Sequence, residues 1–309
     1  MNSAAILGAT GPTGKHLASE LLARGVAVRA VSRSAANLAR AFRDTAVERV
    51  AADLMRPEQV KQAVAGCDVV FQCLGLPMDR ITDHPKAARN VVAAIAGKDV
   101  RCVHVSSYWS YIPIRKLPLT EDHPRDDGNT AVQMRREAED ILQQAGAAIV
   151  HLPDFYGPEV HTSTIQRALE EAVAGKPIHW IGSPAIGREY VFIPDAMKAV
   201  AELAFHTAAF GERWIFPGAG PISFDEIAAI VEQHLGRPVR LRAAGQLVLG
   251  LASFFLRDVR AILPLAPTYI APIHYDGAKL RRLLGETPVT PYALAIPLTL
   301  DWLAAERRP

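Results

Sequence analysis

Three glycines near the start of the chain constrain its fold more than any other feature; they are Gly8, Gly11 and Gly14. A short apolar run, residues 4–7, precedes them, and leucines at helical spacing follow them. A glycine triplet between a strand and a helix is typical of a loop that binds a dinucleotide. The sequence therefore predicts such a loop, with the spacing G-x-x-G-x-x-G.

Each glycine has its own role in that loop. Gly8 permits the sharp turn from strand to helix, Gly11 lets a diphosphate approach the backbone, and Gly14 lets the helix pack closely on the strand. The free N–H groups and the positive dipole end of the helix favour phosphate binding. We expect the cofactor to contact Gly8, Thr10, Gly11, Pro12, Thr13 and Gly14.

Apolar runs alternate with helical patterns over the first 150 residues. The runs that predict strands are residues 4–7, 26–31, 47–51, 69–74, 101–105 and 147–152. The helical patterns lie near residues 13–24, 35–43, 57–65, 84–97 and 130–145. Because the runs are continuously apolar, both faces of the strands should be covered, as in a parallel sheet. The predicted fold class is α/β, a doubly wound parallel sheet of the Rossmann-like type.

The pattern loosens after residue 155, where proline and glycine separate shorter elements. We predict a cofactor-binding domain over residues 1–155 and a smaller substrate lobe over residues 156–309, between which the chain could cross. Residues 245–273 are strongly apolar. This apolar character favours a buried helix and loop, or a dimer contact. The alternatives are a hydrophobic substrate pocket and a peripheral membrane contact.

Composition argues against several classes of protein. The net charge is +2 and the charges are scattered, which gives no basis for nucleic-acid binding. The longest apolar run, residues 247–256, is too short to span a membrane, and His161 and His179 are spaced too far apart to predict a metal site. The three cysteines lie in apolar stretches, which indicates free thiols in a reducing compartment. We expect a cytoplasmic protein without a signal peptide that acts on a small molecule.

The residues after the second predicted strand indicate which dinucleotide is bound. An acidic residue there would favour NAD, but the chain has Arg33 and no carboxylate. A guanidinium can bind a 2′-phosphate with two hydrogen bonds, so NADP(H) is favoured and NAD is the alternative. Residues after the third and fourth strands should complete the site for the adenine and the cofactor backbone: Asp53, Leu54, Leu74 and Gly75.

Several further motifs follow in a characteristic order. They are Ser106-Ser-Tyr-Trp-Ser-Tyr111, Leu117-Pro-Leu-Thr-Glu-Asp-His-Pro124, Asp154-Phe-Tyr-Gly-Pro158 and Arg188-Glu-Tyr-Val-Phe-Ile-Pro-Asp195. Together with the glycine loop they resemble the extended short-chain dehydrogenase/reductases, the NAD(P)-dependent epimerase/dehydratase family. The resemblance implies a nicotinamide cofactor, a small-molecule substrate and a homodimer formed through the two helices that flank the Ser107 strand. It also assigns Ser106, Arg135 and Phe155 to the cofactor, and Tyr156 and Arg188 to the substrate.

The chain departs from this family at the catalytic positions. The family uses a serine at a strand end, here Ser107, with a Tyr-x-x-x-Lys pair on the next helix. The register set by Ala138 to Leu142 places Ala131 at the tyrosine position and Arg135 at the lysine position. Arg135 could still bind the ribose, but alanine cannot transfer a proton.

Three interpretations remain open on the sequence alone. In the first, another group supplies the proton, with Tyr108, Tyr111, Tyr156 and Asp154 as the candidates. In the second, Ser107 and water support hydride transfer to an activated acceptor. In the third, the protein binds NADP(H) without turnover and acts as a regulator.

Overall fold

The computed structural model describes residues 1–161, 163–244 and 266–307. Strands are numbered along the chain: β1 Ser3–Leu7, β2 Ala27–Ser32, β3 Glu48–Ala51, β4 Val69–Gln72, β5 Arg101–Ser107, β6 Ala148–Leu152, β7 Phe155–Tyr156, β8 Ile178–Ile181, β9 Arg188–Glu189, β10 Val191–Phe192, β11 Arg213–Ile215, β12 Pro221–Ile222 and β13 Leu241–Ala244. Seven of these strands form one parallel sheet in the order β11-β6-β5-β4-β1-β2-β3. The predicted doubly wound α/β fold is confirmed.

Helices cover both faces of that sheet and build the second half of the chain. They are α1 Pro12–Ala23, α2 Ala35–Ala41, α3 Pro57–Ala63, α4 His84–Ile95, α5 Thr130–Gln144, α6 Thr164–Val173, α7 Ile193–Leu203, α8 Phe224–Leu235, α9 Ala266–Tyr269, α10 Ala278–Leu284 and α11 Tyr292–Glu306. Among the described helices, none is both long and apolar enough to cross a bilayer.

Burial on both faces explains why the strands are apolar throughout. Along β1, Ala4 and Ile6 belong to the hydrophobic core on one face, whereas Ala5 and Leu7 belong to the core on the other. Successive side chains of a strand point to opposite faces, so each strand contributes to both cores. The five predicted helices and six predicted strands of the first 155 residues are all present, with ends that differ by a few residues.

The second half of the chain has its own core but also returns to the first half. Tyr156, Phe224 and Tyr292 belong to the core of the second lobe. In contrast, β11 pairs with β6, and residues of α7 pack in the first core with those of α1. The chain therefore crosses between the two halves, while the boundary at residue 155 stays a prediction.

Two buried histidines make folding sensitive to mild acid. Burial lowers the pKa of His104, on β5, from 6.5 to about 4 and that of His84 to about 3. A histidine whose folded pKa is lowered binds its proton first in the unfolded chain, so stability is lost as the pH falls below 6.5.

We expect His104→Gln to remove part of that dependence. Between pH 7 and pH 5, His104 alone should account for about 2 kcal/mol of the fall in the free energy of unfolding. Urea unfolding of wild type, His104→Gln and the exposed control His161→Gln at both pH values measures this. An equal fall in wild type and His104→Gln would contradict the assignment.

Candidate active site

The glycine loop joins β1 to α1 through close backbone contacts. Gly8 has a φ of +84°, and a Cβ there would lie 2.7 Å from the carbonyl oxygen of Cys73. A Cβ at Gly14 would lie 2.5 Å from the Cα of Ala9. At Gly11 the nearest atom to an added Cβ is the Gly8 oxygen, 3.6 Å away. Packing within the protein therefore requires glycine at positions 8 and 14, whereas position 11 has room that a close ligand would use.

The start of α1 is suited to a diphosphate. Gly11 is the N-cap residue, and no side chain caps the helix, which begins with Pro12. Uncapped N–H groups at a helix start favour an anion. Thr10 lies beside the loop, where its Oγ1 is 3.3 Å from the Oγ of Ser32 at the end of β2. The residues of this loop fit a dinucleotide, as the sequence predicts.

Two arginines line an open depression beyond β2 and β3. Its walls include Arg33, Arg56, Asp53 and Gln59. Neither arginine forms an ion pair with a carboxylate of the described chain, and both are exposed. The Asp53 backbone N–H donates to Oε1 of Gln59 at 2.8 Å, which fixes the loop after β3. Sequence reasoning did not identify Arg56; the only available signal was its position three residues after Asp53.

The other predicted cofactor residues lie at the ends of later strands. Gly75, after β4, has nothing within 4 Å of an added Cβ, so the space beside it is open. Leu54 is buried, Leu74 is partly buried, and Phe155 is partly buried against the first core. The Oγ of Ser106 is turned inward and donates to Glu139 at 2.5 Å. Their contacts with a cofactor stay a prediction.

A polar cluster lies at the ends of β5 and β6. Tyr108 donates from its hydroxyl to Oδ2 of Asp154 at 3.4 Å, and the guanidinium of Arg188 is 3.8 Å from the same oxygen. Burial raises the pKa of Asp154, against the opposing effects of Arg188 and the Tyr108 hydrogen bond. Burial also raises the pKa of Tyr108, whose side chain is fully buried. This cluster therefore holds a carboxyl group that keeps its proton more readily than usual.

Ser107 is half-buried at the end of β5, where the resemblance expects the active-site serine. Its Oγ accepts a hydrogen bond from the N–H of Trp109 at 3.4 Å. Trp109 in turn lies under the guanidinium of Arg135, 5.3 Å from its ring centre. Ala131 is buried one turn earlier on α5.

Tyr111 and Tyr156, two of the four predicted proton donors, make contacts away from this cluster. The hydroxyl of Tyr111 lies 3.3 Å from Nδ1 of His151, in the interior. Tyr156 is packed in the second-lobe core, with its ring 5.7 Å from Phe192 and 6.1 Å from Tyr292. The geometry thus brings Tyr108 and Asp154 together at the strand ends, and it does not bring Tyr111 or Tyr156 into that cluster.

A buried carboxylate ties α5 to the sheet behind the cluster. Glu139 accepts hydrogen bonds from Ser106 and Ser110, from His151 at 3.1 Å and from Arg125 at 2.6 Å. Burial alone would raise the pKa of Glu139, but His151, Arg125 and the Ser106 hydrogen bond hold it well below its usual range. His151 is therefore a paired interior residue.

One Tyr-x-x-x-Lys spacing does occur in the chain, at Tyr275 and Lys279. It does not replace the missing pair. Tyr275 lies before α10 in a bridge with Leu119, and Lys279 binds Glu212 at 2.8 Å over the ring of Trp214. The tyrosine nevertheless faces the cluster, because its ring meets that of Tyr108 edge-on at 6.1 Å. Sequence reasoning missed this neighbour, and also Tyr269, whose ring lies under Arg188 at 5.5 Å.

Comparison with known proteins agrees with this geometry. Residues 8–152 match the family model described as NAD(P)H-binding. A UDP-glucuronic acid 4-epimerase from Bacillus cereus, solved with NAD, has a TM-score of 0.82 at 14% identity and covers 99% of this chain and 100% of its own. An epimerase from Methanothermobacter thermautotrophicus has a TM-score of 0.83 at 17% identity, over 99% and 93%. The chain therefore contains a match to an NAD(P)H-binding model over residues 8–152, and it shares its fold with these two epimerases.

Two curated relatives are reductases. The chain is 28% identical to a 4-hydroxy-2-methyl-3-oxo-4-farnesyl-3,4-dihydroquinoline-1-oxide ketoreductase from Stigmatella aurantiaca, over 75% of this chain and 72% of that protein. It is 37% identical to a 2-alkyl-3-oxoalkanoate reductase from Shewanella oneidensis, over 30% of this chain and 25% of that protein. None of these comparisons favours the non-catalytic alternative. Part of the apolar segment 245–273, namely residues 245–265, lies outside the described residues.

Paired substitutions in the glycine loop should separate packing from binding. Gly14→Ala should lower the free energy of unfolding by about 1–3 kcal/mol, because its methyl group meets the Ala9 backbone. Gly11→Ala should leave stability unchanged or slightly raised, since its φ of −78° suits alanine. It should nevertheless weaken NADPH binding by about 10-fold, as measured by fluorescence titration. Normal NADPH binding by Gly11→Ala would rule out close approach of a diphosphate there.

Proposed function

We propose that this protein is an NADP(H)-dependent reductase that acts on the carbonyl group of a small molecule. The observation that carries the proposal is the protonatable carboxyl of Asp154, which shares the carboxyl edge of the sheet with Ser107. Ligands of open α/β sheets bind at that edge, and a glycine loop suited to a dinucleotide opens onto it. The names of the two curated relatives support a carbonyl as the acceptor.

The chain's own groups divide the work of such a reaction. The bound cofactor supplies a hydride to the carbonyl carbon. Ser107 donates a hydrogen bond to the carbonyl oxygen, and Asp154 gives that oxygen its proton. Burial raises the pKa of Asp154, so this carboxyl holds a proton for donation up to a higher pH than an exposed aspartate does. The Tyr108 hydroxyl holds Asp154 in place through its hydrogen bond.

The preference for NADP(H) over NAD rests on Arg33 and Arg56. Both line the depression beyond β2 and β3, where the adenosine ribose would lie. Two exposed guanidiniums on separate loops can bind a phosphate from two sides. We also propose that the protein works in the cytoplasm, which its three free, buried cysteines support.

Arg33→Ala and Arg56→Ala should each weaken NADPH binding by about 10-fold or more, because each removes charge-assisted hydrogen bonds to phosphate. NADH binding should stay within about 2-fold of wild type, since NADH lacks that phosphate. Fluorescence titration with both cofactors measures the difference, with the exposed Arg167→Ala as the control. Equal losses for NADH and NADPH would refute the phosphate contact.

Asp154→Asn should lower kcat for carbonyl reduction by about 100-fold or more, because an amide cannot supply the proton. The affinity for NADPH should not change. In wild type, kcat should fall as the pH rises through the pKa of Asp154, and the residual activity of the variant should lack that step. The exposed Asp99→Asn is the matched control. A variant with normal kcat and the wild-type pH profile would remove Asp154 from the mechanism.

A further inference from the structure

The side chain of Arg135 is partly buried and has no charged partner among the described residues. It lies over Trp109, and its Nε is enclosed and has no hydrogen-bond partner among the described residues. Within that part of the chain, no carboxylate comes close enough to form an ion pair with it. Nε has thus lost its hydration without gaining a hydrogen bond, while the partly exposed side chain can still receive a ligand.

The nearby carboxylates are engaged elsewhere. Glu139 attracts Arg135, but it already accepts hydrogen bonds from four other side chains, Arg125 and His151 among them. Asp154 lies beside Arg188, and burial disfavours its charged form. Neither carboxylate therefore forms an ion pair with Arg135.

Aromatic rings wall that space. Trp109 and Tyr269 both pack against Ile112 and Val132, the latter on α5 one turn before Arg135. Arg188 holds the Tyr269 segment in place, because its Nη1 donates to the carbonyls of Thr268 at 2.5 Å and Ala271 at 2.7 Å. Arg188 therefore fixes the position of Tyr269, and Arg135 lies near this ring and over that of Trp109.

We propose that Arg135 binds a carboxylate of the substrate, carried close to the carbonyl that is reduced. This inference rests on the proposed reductase function and names its substrate class, an oxo acid. A guanidinium can donate two parallel hydrogen bonds to a carboxylate, and burial strengthens them. The resemblance described above assigns the same residue to the ribose of the cofactor, and the experiment must separate these roles.

Binding of octanoate to the full chain saturated with NADP⁺ tests the carboxylate site without turnover. Calorimetry should show that wild type binds octanoate at least about 10-fold more tightly than it binds 1-octanol. Arg135→Gln should bind octanoate at least about 10-fold more weakly than wild type does. Arg135→Lys keeps the positive charge, so it should retain part of the affinity for octanoate. This variant therefore serves as a control for a folding defect in Arg135→Gln. Arg89→Gln, an exposed arginine of α4, should behave as wild type. Equal octanoate binding by wild type and Arg135→Gln overturns the proposal, whatever happens to NADP⁺ affinity.

Turnover then distinguishes this inference from the reductase function. Wild type should reduce 3-oxooctanoate with kcat/KM at least about 10-fold above its methyl ester, and Arg135→Gln should lose that preference. Octanoate binding with no NADPH oxidation by any carbonyl compound would refute the reductase and keep the carboxylate site. Reduction of acid and ester with equal kcat/KM would refute the carboxylate site and keep the reductase.

Discussion

The close backbone contact between Gly14 of α1 and Ala9 of the loop is the constraint on which the rest of the cofactor site depends. A Cβ at position 14 would overlap that backbone, so only glycine lets the helix start directly above the end of β1. This approach directs uncapped helix N–H groups toward the carboxyl edge of the sheet. The same edge receives the ends of β4, β5 and β6, and therefore Gly75, Ser107 and Asp154.

Two charged residues of α5, the buried Glu139 and the partly buried Arg135, differ in their partners. Glu139 has a full set of donors from the sheet, the loop after β5 and Arg125, so it stabilises the attachment of α5. Arg135, one turn earlier, has an aromatic ring beside it and an Nε that finds no hydrogen-bond partner within residues 1–161, 163–244 and 266–307. A satisfied buried network rigidifies a fold, whereas an unsatisfied one marks a place where a ligand can supply the missing partner. Helix α5 is therefore attached to the sheet through Glu139, and Arg135 is the position on it that we propose binds a ligand.

Ala131 stands where the resemblance implies a tyrosine, and phenols from other elements gather at the strand ends. Tyr108 comes from the end of β5, Tyr269 from α9 and Tyr275 from the segment before α10. Arg188 connects them, because it hydrogen-bonds Tyr108 and lies over Tyr269. The site at the strand ends is therefore assembled from segments some 160 residues apart in the sequence. Its acid group, on our proposal, is the carboxyl of Asp154, whose pKa is raised by burial.

The architecture of the first 155 residues could be predicted from local pattern, because continuous apolar runs and helical periodicity follow directly from burial on two faces. The same holds for the glycine loop and for the placement of Ser107 and Asp154 at strand ends. The pairing of Asp154 with Tyr108 and Arg188 could not be predicted, nor could Arg56 beside Arg33. These contacts join residues that have no fixed spacing in sequence.

The sequence by itself determined the fold class, the dinucleotide loop and the absence of tyrosine at position 131. Only the tertiary structure decided which side chains surround Asp154, and that Tyr111 and Tyr156 are enclosed in other contacts. The physical reason is that periodicity records which faces are buried, whereas proton affinity depends on burial and on charges brought close by folding. Arg135 is a second example: its charge can be read from the sequence, whereas only the packed structure shows that its Nε has no hydrogen-bond partner in the part of the chain it describes.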